Sequence, residues 1–223
     1  MFAIAIDGPA GAGKSSVAKA AAQRLGFTYV DTGAMYRALA LFMLENGVNL
    51  EDPQAVTARL PEAKVTLAYG EKGQRTLLNG RDVSQAIRTQ EVSMATSRWV
   101  SHIPQVRRFL LDLQRDLAQR AHVVMDGRDI GTAILPGAQL KVFLTASPEE
   151  RARRRTRQLE EAGAPADFGQ VLAEVVQRDR QDQEQLGQRP ADGVTLDTTG
   201  LSFEQVVDQL VALAQERMKK DVG

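Results

Sequence analysis

The run Gly8-Pro9-Ala10-Gly11-Ala12-Gly13-Lys14-Ser15 has the spacing G-x-x-x-x-G-K-S, which suits it to holding a phosphate. Gly8, Gly11 and Gly13 let the backbone turn its N–H groups inward around a small anion. Lys14 adds a mobile cation for the β- and γ-phosphates of a nucleotide, and the Ser15 hydroxyl is placed to ligate Mg2+. Ser15 and Ser16 open a helix whose positive dipole end points at the same anion. A Gly-rich turn that matches by accident is the plain alternative. It gives no reason for the apolar strand before the loop and the helix after it.

A phosphate loop binds one nucleotide and does not say what receives the phosphate. Phosphoryl transfer brings two polyanions into line, so the barrier falls through positioning and positive charge. Arginines are the candidates, because the planar guanidinium grips phosphate at two points. Arg37 lies one turn into a helix after a strand end, behind Asp31-Thr32-Gly33 and beside Tyr36. Arg128 lies just past another strand end, in Asp126-Gly127-Arg128-Asp129. Taken alone, Arg37 reads as a solvated surface charge; the Asp-Thr-Gly preface and the neighbouring tyrosine favour a functional role.

The elements that must position these residues follow from periodicity. Phe2 to Ile6 is a short apolar run that reads as a buried strand, and Val17 to Leu25 continues the helix up to Gly26. Phe27 to Val30 is a second strand, and Met35, Ala38, Leu39, Phe42 and Met43 keep helical spacing to Gly47. Lys64 to Ala68 alternates, Tyr69-Gly70-Glu71-Lys72-Gly73 turns it, and Arg75 to Leu78 returns. Asn79-Gly80 predicts a tight hairpin into Arg81 to Val83. Helices are expected over about Gln90 to Ser101 and from Pro104. Strands follow at Val123 to Met125, Leu140 to Leu144 and Val194 to Leu196. Ser147-Pro148-Glu149-Glu150 starts an arginine-rich helix, and a polar helix runs from about Phe168 to Gln185. Five strands separated by helices predict a parallel sheet covered on both faces, with ligands beyond the carboxyl ends of its strands. The phosphate loop, Asp31-Thr32, Asp126 to Asp129 and Asp197-Thr198 lie at such ends and are expected to share one cleft.

The whole chain sets bounds. Its 223 residues suit one core with an insertion, and 43% apolar residues fill an ordinary core. Lys plus Arg and Asp plus Glu both number 28, so nothing favours broad nucleic-acid or membrane binding. With no cysteine, disulfides and thiolate metal sites are excluded. No apolar run has the length of a membrane helix, and the first strand begins at once without room for a signal peptide. A monomer in the cytoplasm is expected. Trp99, His102 and His122 read as structural, and Met35 and Met43 as core.

Asp31-Thr32-Gly33-Ala34-Met35-Tyr36-Arg37, Arg88-Thr89-Gln90-Glu91-Val92 and Asp126-Gly127-Arg128-Asp129-Ile130-Gly131-Thr132, behind this phosphate loop, resemble the bacterial cytidylate kinase family. The likeness runs from the first strand to the last helix. It implies the nucleoside monophosphate kinase fold: a P-loop core with a parallel five-stranded sheet of order 2-3-1-4-5, a monophosphate-binding insertion and a mobile helical lid. On that basis the core is expected over 1–37 and 104–223, the lid over about 155–185, and the insertion with its small antiparallel sheet over 38–103. The implied reaction is ATP with CMP or dCMP giving ADP with CDP or dCDP, with Mg2+ and no nucleic-acid or membrane partner.

By position, Lys14, Arg37, Arg128 and Asp126 resemble the catalytic group, with Arg37 and Arg128 on the acceptor phosphate and Asp31 and Asp126 on the floor of the site. Gly8 to Ser16, that is Gly8, Pro9, Ala10, Gly11, Ala12, Gly13, Lys14, Ser15 and Ser16, would hold the donor together with Arg154 and Arg155. Arg151 also resembles a position near the donor. Thr32 stands where the family often has Ser. Ser97, Arg107 and Asp129 match the group facing cytosine, which offers an N4 donor and N3 and O2 acceptors. Tyr36, Arg178 and Asp182 match the ribose contacts. One departure is plain: the lid pattern R-D-x-x-D-x-x-R ends here in Gln185, which supplies no charge, with Arg180 or Arg189 as candidate substitutes. Two other readings compete, a P-loop kinase for another small acceptor such as shikimate and a module that only senses nucleotide. ADP formation with a panel of acceptors separates all three.

Overall fold

Ala3–Asp7 forms strand β1, and every one of its residues is buried. A strand with no exposed face belongs in the middle of a sheet. In the computed structural model β1 is the centre of a five-stranded sheet with β2 (Thr28–Asp31), β6 (Val123–Asp126), β7 (Leu140–Thr145) and β8 (Val194–Asp197), in the order β2-β6-β1-β7-β8. That order is 2-3-1-4-5 when the strands of this sheet alone are numbered. The structure describes residues 1–70, 73–161, 163–186 and 189–221, with the backbone alone for 181–186 and 221. Glu71 and Lys72, the middle of the expected turn, lie outside the described residues. No helix among the described residues is long and apolar enough to cross a membrane.

The chain divides into two compact units, Met1–Tyr29 with Ala121–Gly223 and Val30–Arg120. In the first, β1 pairs in parallel with β6 and β7 so that Ile6 stands beside Asp126 and Asp7 beside Phe143. The register carries on to Thr145 beside Asp197. The carboxyl ends of these parallel strands therefore lie along one edge of the sheet, with β7 and β8 running two residues past β1, and that edge is where α/β sheets bind ligands. Helix α1 (Lys14–Leu25) starts one residue before the predicted Ser15, with Gly13 as its cap, and stops at the left-handed Gly26. It lays Val17, Ala18, Ala21 and Ala22 on Ile4, Ile6, Val124, Val142 and Leu144. The alanines bring it close to the sheet. Helix α8 (Phe203–Asp221) covers the same cluster with Val206, Val207, Leu210 and Ala214. Helices α6 (Pro148–Glu161) and α7 (Phe168–Leu186) pack on each other.

The second unit is built on α2 (Thr32–Glu45), where Met35, Leu39 and Met43 are fully buried. Helix α3 (Pro53–Arg59) leads to an antiparallel sheet of β3 (Val65–Gly70), β4 (Gly73–Leu78) and β5 (Arg81–Asp82). The Asn79-Gly80 turn has both residues at positive φ, 50° and 82°, so Leu78 pairs with Arg81 as a two-residue hairpin requires. Helix α4 (Gln90–Arg98) ends sooner than the predicted Ser101, at Trp99, and Val100–His102 is a 3-10 turn. Ile103 is extended, at φ −73° and ψ 118°, as the residue before a proline prefers, and Pro104 opens α5 (Pro104–Arg120). Within this unit α2 packs on α4 and α5, and Gln74 of β4 bonds the peptide of Asp31.

Leu210 is fully buried where α8 meets the sheet. Leu210→Ala is expected to destabilise the protein by about 2–5 kcal/mol, read as a lower denaturant midpoint at unchanged slope. A loss under about 1 kcal/mol contradicts this packing.

Candidate active site

In the first unit the loop after β1 is shaped by its backbone. Gly8 has φ 146°, and a Cβ there would lie 2.0 Å from the Leu144 carbonyl oxygen, so no other residue fits. Gly13 caps α1 without any side-chain bond. The first N–H groups of α1 therefore face an incoming anion rather than a capping side chain. Lys14 Nζ donates to the Pro9 carbonyl at 2.8 Å, which curls the ammonium back over the loop. Ser15 Oγ donates to Asp126 Oδ2 at 2.7 Å, and Tyr29 Oη donates to Asp126 Oδ1 at 3.0 Å.

The Ser15 hydroxyl and the Asp126 carboxylate are adjacent hard oxygens, the pair that Mg2+ uses when phosphates and water complete its shell. Among the described residues no group of three or more His, Cys, Asp or Glu could cage a metal. The residues present thus fit a nucleotide-bound Mg2+ rather than a resident protein-only site.

The arginines of α6 separate into three fates. Arg151 is buried: it donates to the carbonyls of Ala146 at 2.9 Å and Ala10 at 3.1 Å and pairs with Asp179 of α7. It braces the loop against α7. Arg154 is held by Glu150 at 3.0 Å and Thr198 Oγ1 at 3.2 Å, and its Nη1 lies 4.0 Å from where a Cβ on Gly13 would be. Arg155 is exposed, with no ion pair or hydrogen bond to the loop among the described residues.

Past β6, Gly127 N–H donates to the Ile6 carbonyl at 3.0 Å and Arg128 Nη1 approaches the Gly8 carbonyl at 3.5 Å. Asp129 is buried and opens a π-helical turn, Ile130–Ile134. Asp7, which the sequence reading passed over, accepts from the N–H groups of Ile130 at 2.6 Å and Gly131 at 2.8 Å. Burial pushes its carboxyl up to about 6; the two backbone donors pull it back, Asp129 raises it further and Lys14 lowers it. A carboxylate closing an apolar strand was the available signal. Arg178 is half-buried on α7, and the side chains of Asp182 and Gln185 lie outside the described residues.

In the second unit Asp31 is the organising group. It is buried, caps α2 through Ala34 N–H at 2.8 Å, and accepts from Arg37 Nη2 at 2.9 Å and Arg88 Nη2 at 3.0 Å. Gly33 allows this: a Cβ there would lie 3.0 Å from Arg37 Nη1 and 3.2 Å from Asp31 Oδ1. Gln74 clamps the Asp31 peptide, accepting from its N–H at 2.8 Å and donating to its carbonyl at 3.3 Å. The Arg107 guanidinium lies 5.7 Å from the centre of the Tyr36 ring and donates to the Ser101 carbonyl at 3.2 Å. Thr32 is buried at the start of α2, and Ser97 Oγ donates to the Met94 carbonyl at 3.3 Å. Arg88 and Gln74 had no assigned role in the sequence. His122 accepts from Phe2 N–H at 2.8 Å and stacks on Phe27, a structural use.

Because the folded pKa of Asp7 lies above its ordinary 3.8, its neutral form favours folding, and that stability is lost as pH rises through about 6. Lys14 and Asp129 face it, and Lys141 lies on the far side of Gly131. From about pH 4 to about pH 8 the parent should lose about 3 kcal/mol relative to Asp7→Asn, a shift of about two units at roughly 1.4 kcal/mol each. Parallel pH curves from denaturant unfolding contradict the assignment.

Residues 4–216 match the sequence profile of the family described as cytidylate kinase. A cytidylate kinase of Carboxydothermus hydrogenoformans is 48% identical, over 94% of this chain and 96% of its own length. One from Geobacillus kaustophilus is 47% identical, over 97% and 98%. A solved structure of an uncharacterized protein from Eubacterium ventriosum shares the fold, with a TM-score of 0.51 and 12% identity over 96% of this chain and 99% of that one. With the phosphate loop, the arginines held by Asp31 and a profile match over almost its whole length, the chain belongs to the cytidylate kinase family.

Proposed function

We propose that this chain carries out the reaction of its family, phosphoryl transfer from ATP to CMP or dCMP, with one set of residues for the donor and another for the acceptor. On the donor side the loop amides and the N-terminus of α1 take the β- and γ-phosphates. Lys14 exchanges its bond to the Pro9 carbonyl for charge developing on the transferring group. Ser15 and Asp126 would hold Mg2+, which when bound neutralises phosphate charge and fixes its geometry. Arg154 stands beside the loop for the donor nucleotide.

On the acceptor side Arg37 and Arg128 take the CMP phosphate, whose oxygen attacks the γ-phosphorus as ADP leaves. Ser97, Arg107 and Asp129 read the base, and Tyr36 and Arg178 the ribose. The observation that carries the reading is the single buried carboxylate of Asp31 under two guanidinium groups. It holds Arg37 in advance, with Arg88 beside it, and two cations on one carboxylate leave net positive charge for a dianion. Little covalent chemistry is asked of the protein; the work is positioning and electrostatics.

The test is base discrimination at Asp129. Its carboxylate accepts from the cytosine N4 amine, whereas uracil sets an acceptor oxygen in that place. Facing acceptors in a closed site cost roughly 1–3 kcal/mol, more with a charge. Asp129→Asn replaces one acceptor by an NH2 donor, so the CMP over UMP ratio of kcat/KM should fall about tenfold or more. An unchanged ratio with both substrates equally slowed removes Asp129 from the base-reading group.

A further inference from the structure

Asp7 ends β1 one residue before the phosphate loop, and the roles above make no use of it. Both of its carboxylate oxygens are spent on backbone: Oδ1 on Ile130 N–H and Oδ2 on Gly131 N–H. These are the first two donors of the π-helical turn Ile130–Ile134, which closes through Ala133 and Ile134 N–H on the Asp129 carbonyl and Leu135 N–H on that of Ile130. The first N–H groups of a helical turn have no partner inside it. Ordinarily the side chain of the preceding residue caps them. Here that residue is Asp129, and its carboxylate makes no cap bond. The cap comes instead from a residue 123 positions earlier in the chain.

The surroundings leave the turn one place to sit. A Cβ on Gly131 would lie 3.2 Å from Asp7 Oδ2, from Lys141 Cδ and from Pro190 Cγ. We propose that Asp7 is the positioning residue of the acceptor loop: it takes over the cap of the Ile130 turn, so that the backbone of Arg128 and Asp129 is fixed against the phosphate loop and sets where their side chains meet the acceptor. This rests on the acceptor-side reading of Arg128 and Asp129. The burial that pushes the Asp7 carboxyl up to about 6 makes its charge costly. A costly buried charge that makes only these bonds is the kind of local expense that belongs to functional sites.

The experiment measures KM for CMP and for ATP, and the CMP over UMP ratio of kcat/KM, for Asp7→Asn and Asp7→Ala at neutral pH. Amide exchange at Ile130 and Gly131 is followed by NMR in the same folded variants. Both amides should exchange faster. KM for CMP should rise roughly tenfold in Asp7→Asn and further in Asp7→Ala, with a lower CMP over UMP ratio and KM for ATP within about twofold. Arg128→Ala is measured in parallel. If it weakens CMP while Asp7→Asn does not, the acceptor reading stands and the Asp7 proposal falls. Equal increases in both KM values in Asp7→Asn also overturn it, because Asp7 then serves the phosphate loop. If Arg128→Ala leaves CMP unaffected, the acceptor reading fails and takes the proposal with it. Should neither Asp7 variant fold, Gly131→Ala, which presses a methyl group on the Asp7 carboxylate, must show the same KM split, and its absence overturns the proposal.

Discussion

Three strands of the parallel sheet, β1, β2 and β6, each end in a buried aspartate: Asp7, Asp31 and Asp126 are 2%, 4% and 4% exposed. A charge taken out of water must be met by donors, and each of these is met by a different kind. Asp7 takes backbone N–H groups, Asp31 takes two guanidinium groups and a helix amide, and Asp126 takes two hydroxyls. The pieces of the site hang from these three carboxylates. The turn at Ile130 is held by the first, Arg37 and Arg88 by the second, and Ser15 and Tyr29 by the third.

The arrangement also explains why the arginines are not equivalent. Arg151 and Arg154 are three residues apart on one helix, yet Arg151 is consumed by Ala10, Ala146 and Asp179, while Arg154 stands by Gly13 with its head tied by Glu150 and Thr198. Arg151 joins the phosphate loop to α7 and so acts as a strut. Truncating it would uncover a buried carbonyl and leave Asp179 without its cation, a structural loss before any catalytic one.

Much of this was legible in the residues. Buried strands announce themselves as short apolar runs, and Asn79-Gly80 demands its turn through positive φ at both positions. Local rules of this kind need no tertiary knowledge, so the strands and the hairpin emerged intact, whereas the sheet order came from the family resemblance and not from periodicity. What stayed hidden was long-range pairing. Gln74 sits in an alternating strand like any polar residue, and nothing marks it as the partner of a peptide 43 residues away. Arg151 resembled a position near the donor, and its use as a brace stayed hidden because burial of one arginine among several depends on which turn of α6 meets the loop. Asp7 carried a faint signal, a carboxylate at the end of an apolar run, and its meaning required the partner loop at Ile130.

The central claim is that a strand-end carboxylate prearranges the cations that grip the acceptor. The most direct measurement is calorimetric binding of CMP and of ATP to Asp31→Asn. The amide keeps the helix cap but cannot hold two guanidinium groups by charge. CMP affinity should fall roughly tenfold or more, about 1.4 kcal/mol, while ATP affinity changes by less than about twofold. Equal losses for the two nucleotides, or an unchanged CMP affinity in the folded variant, would contradict the account.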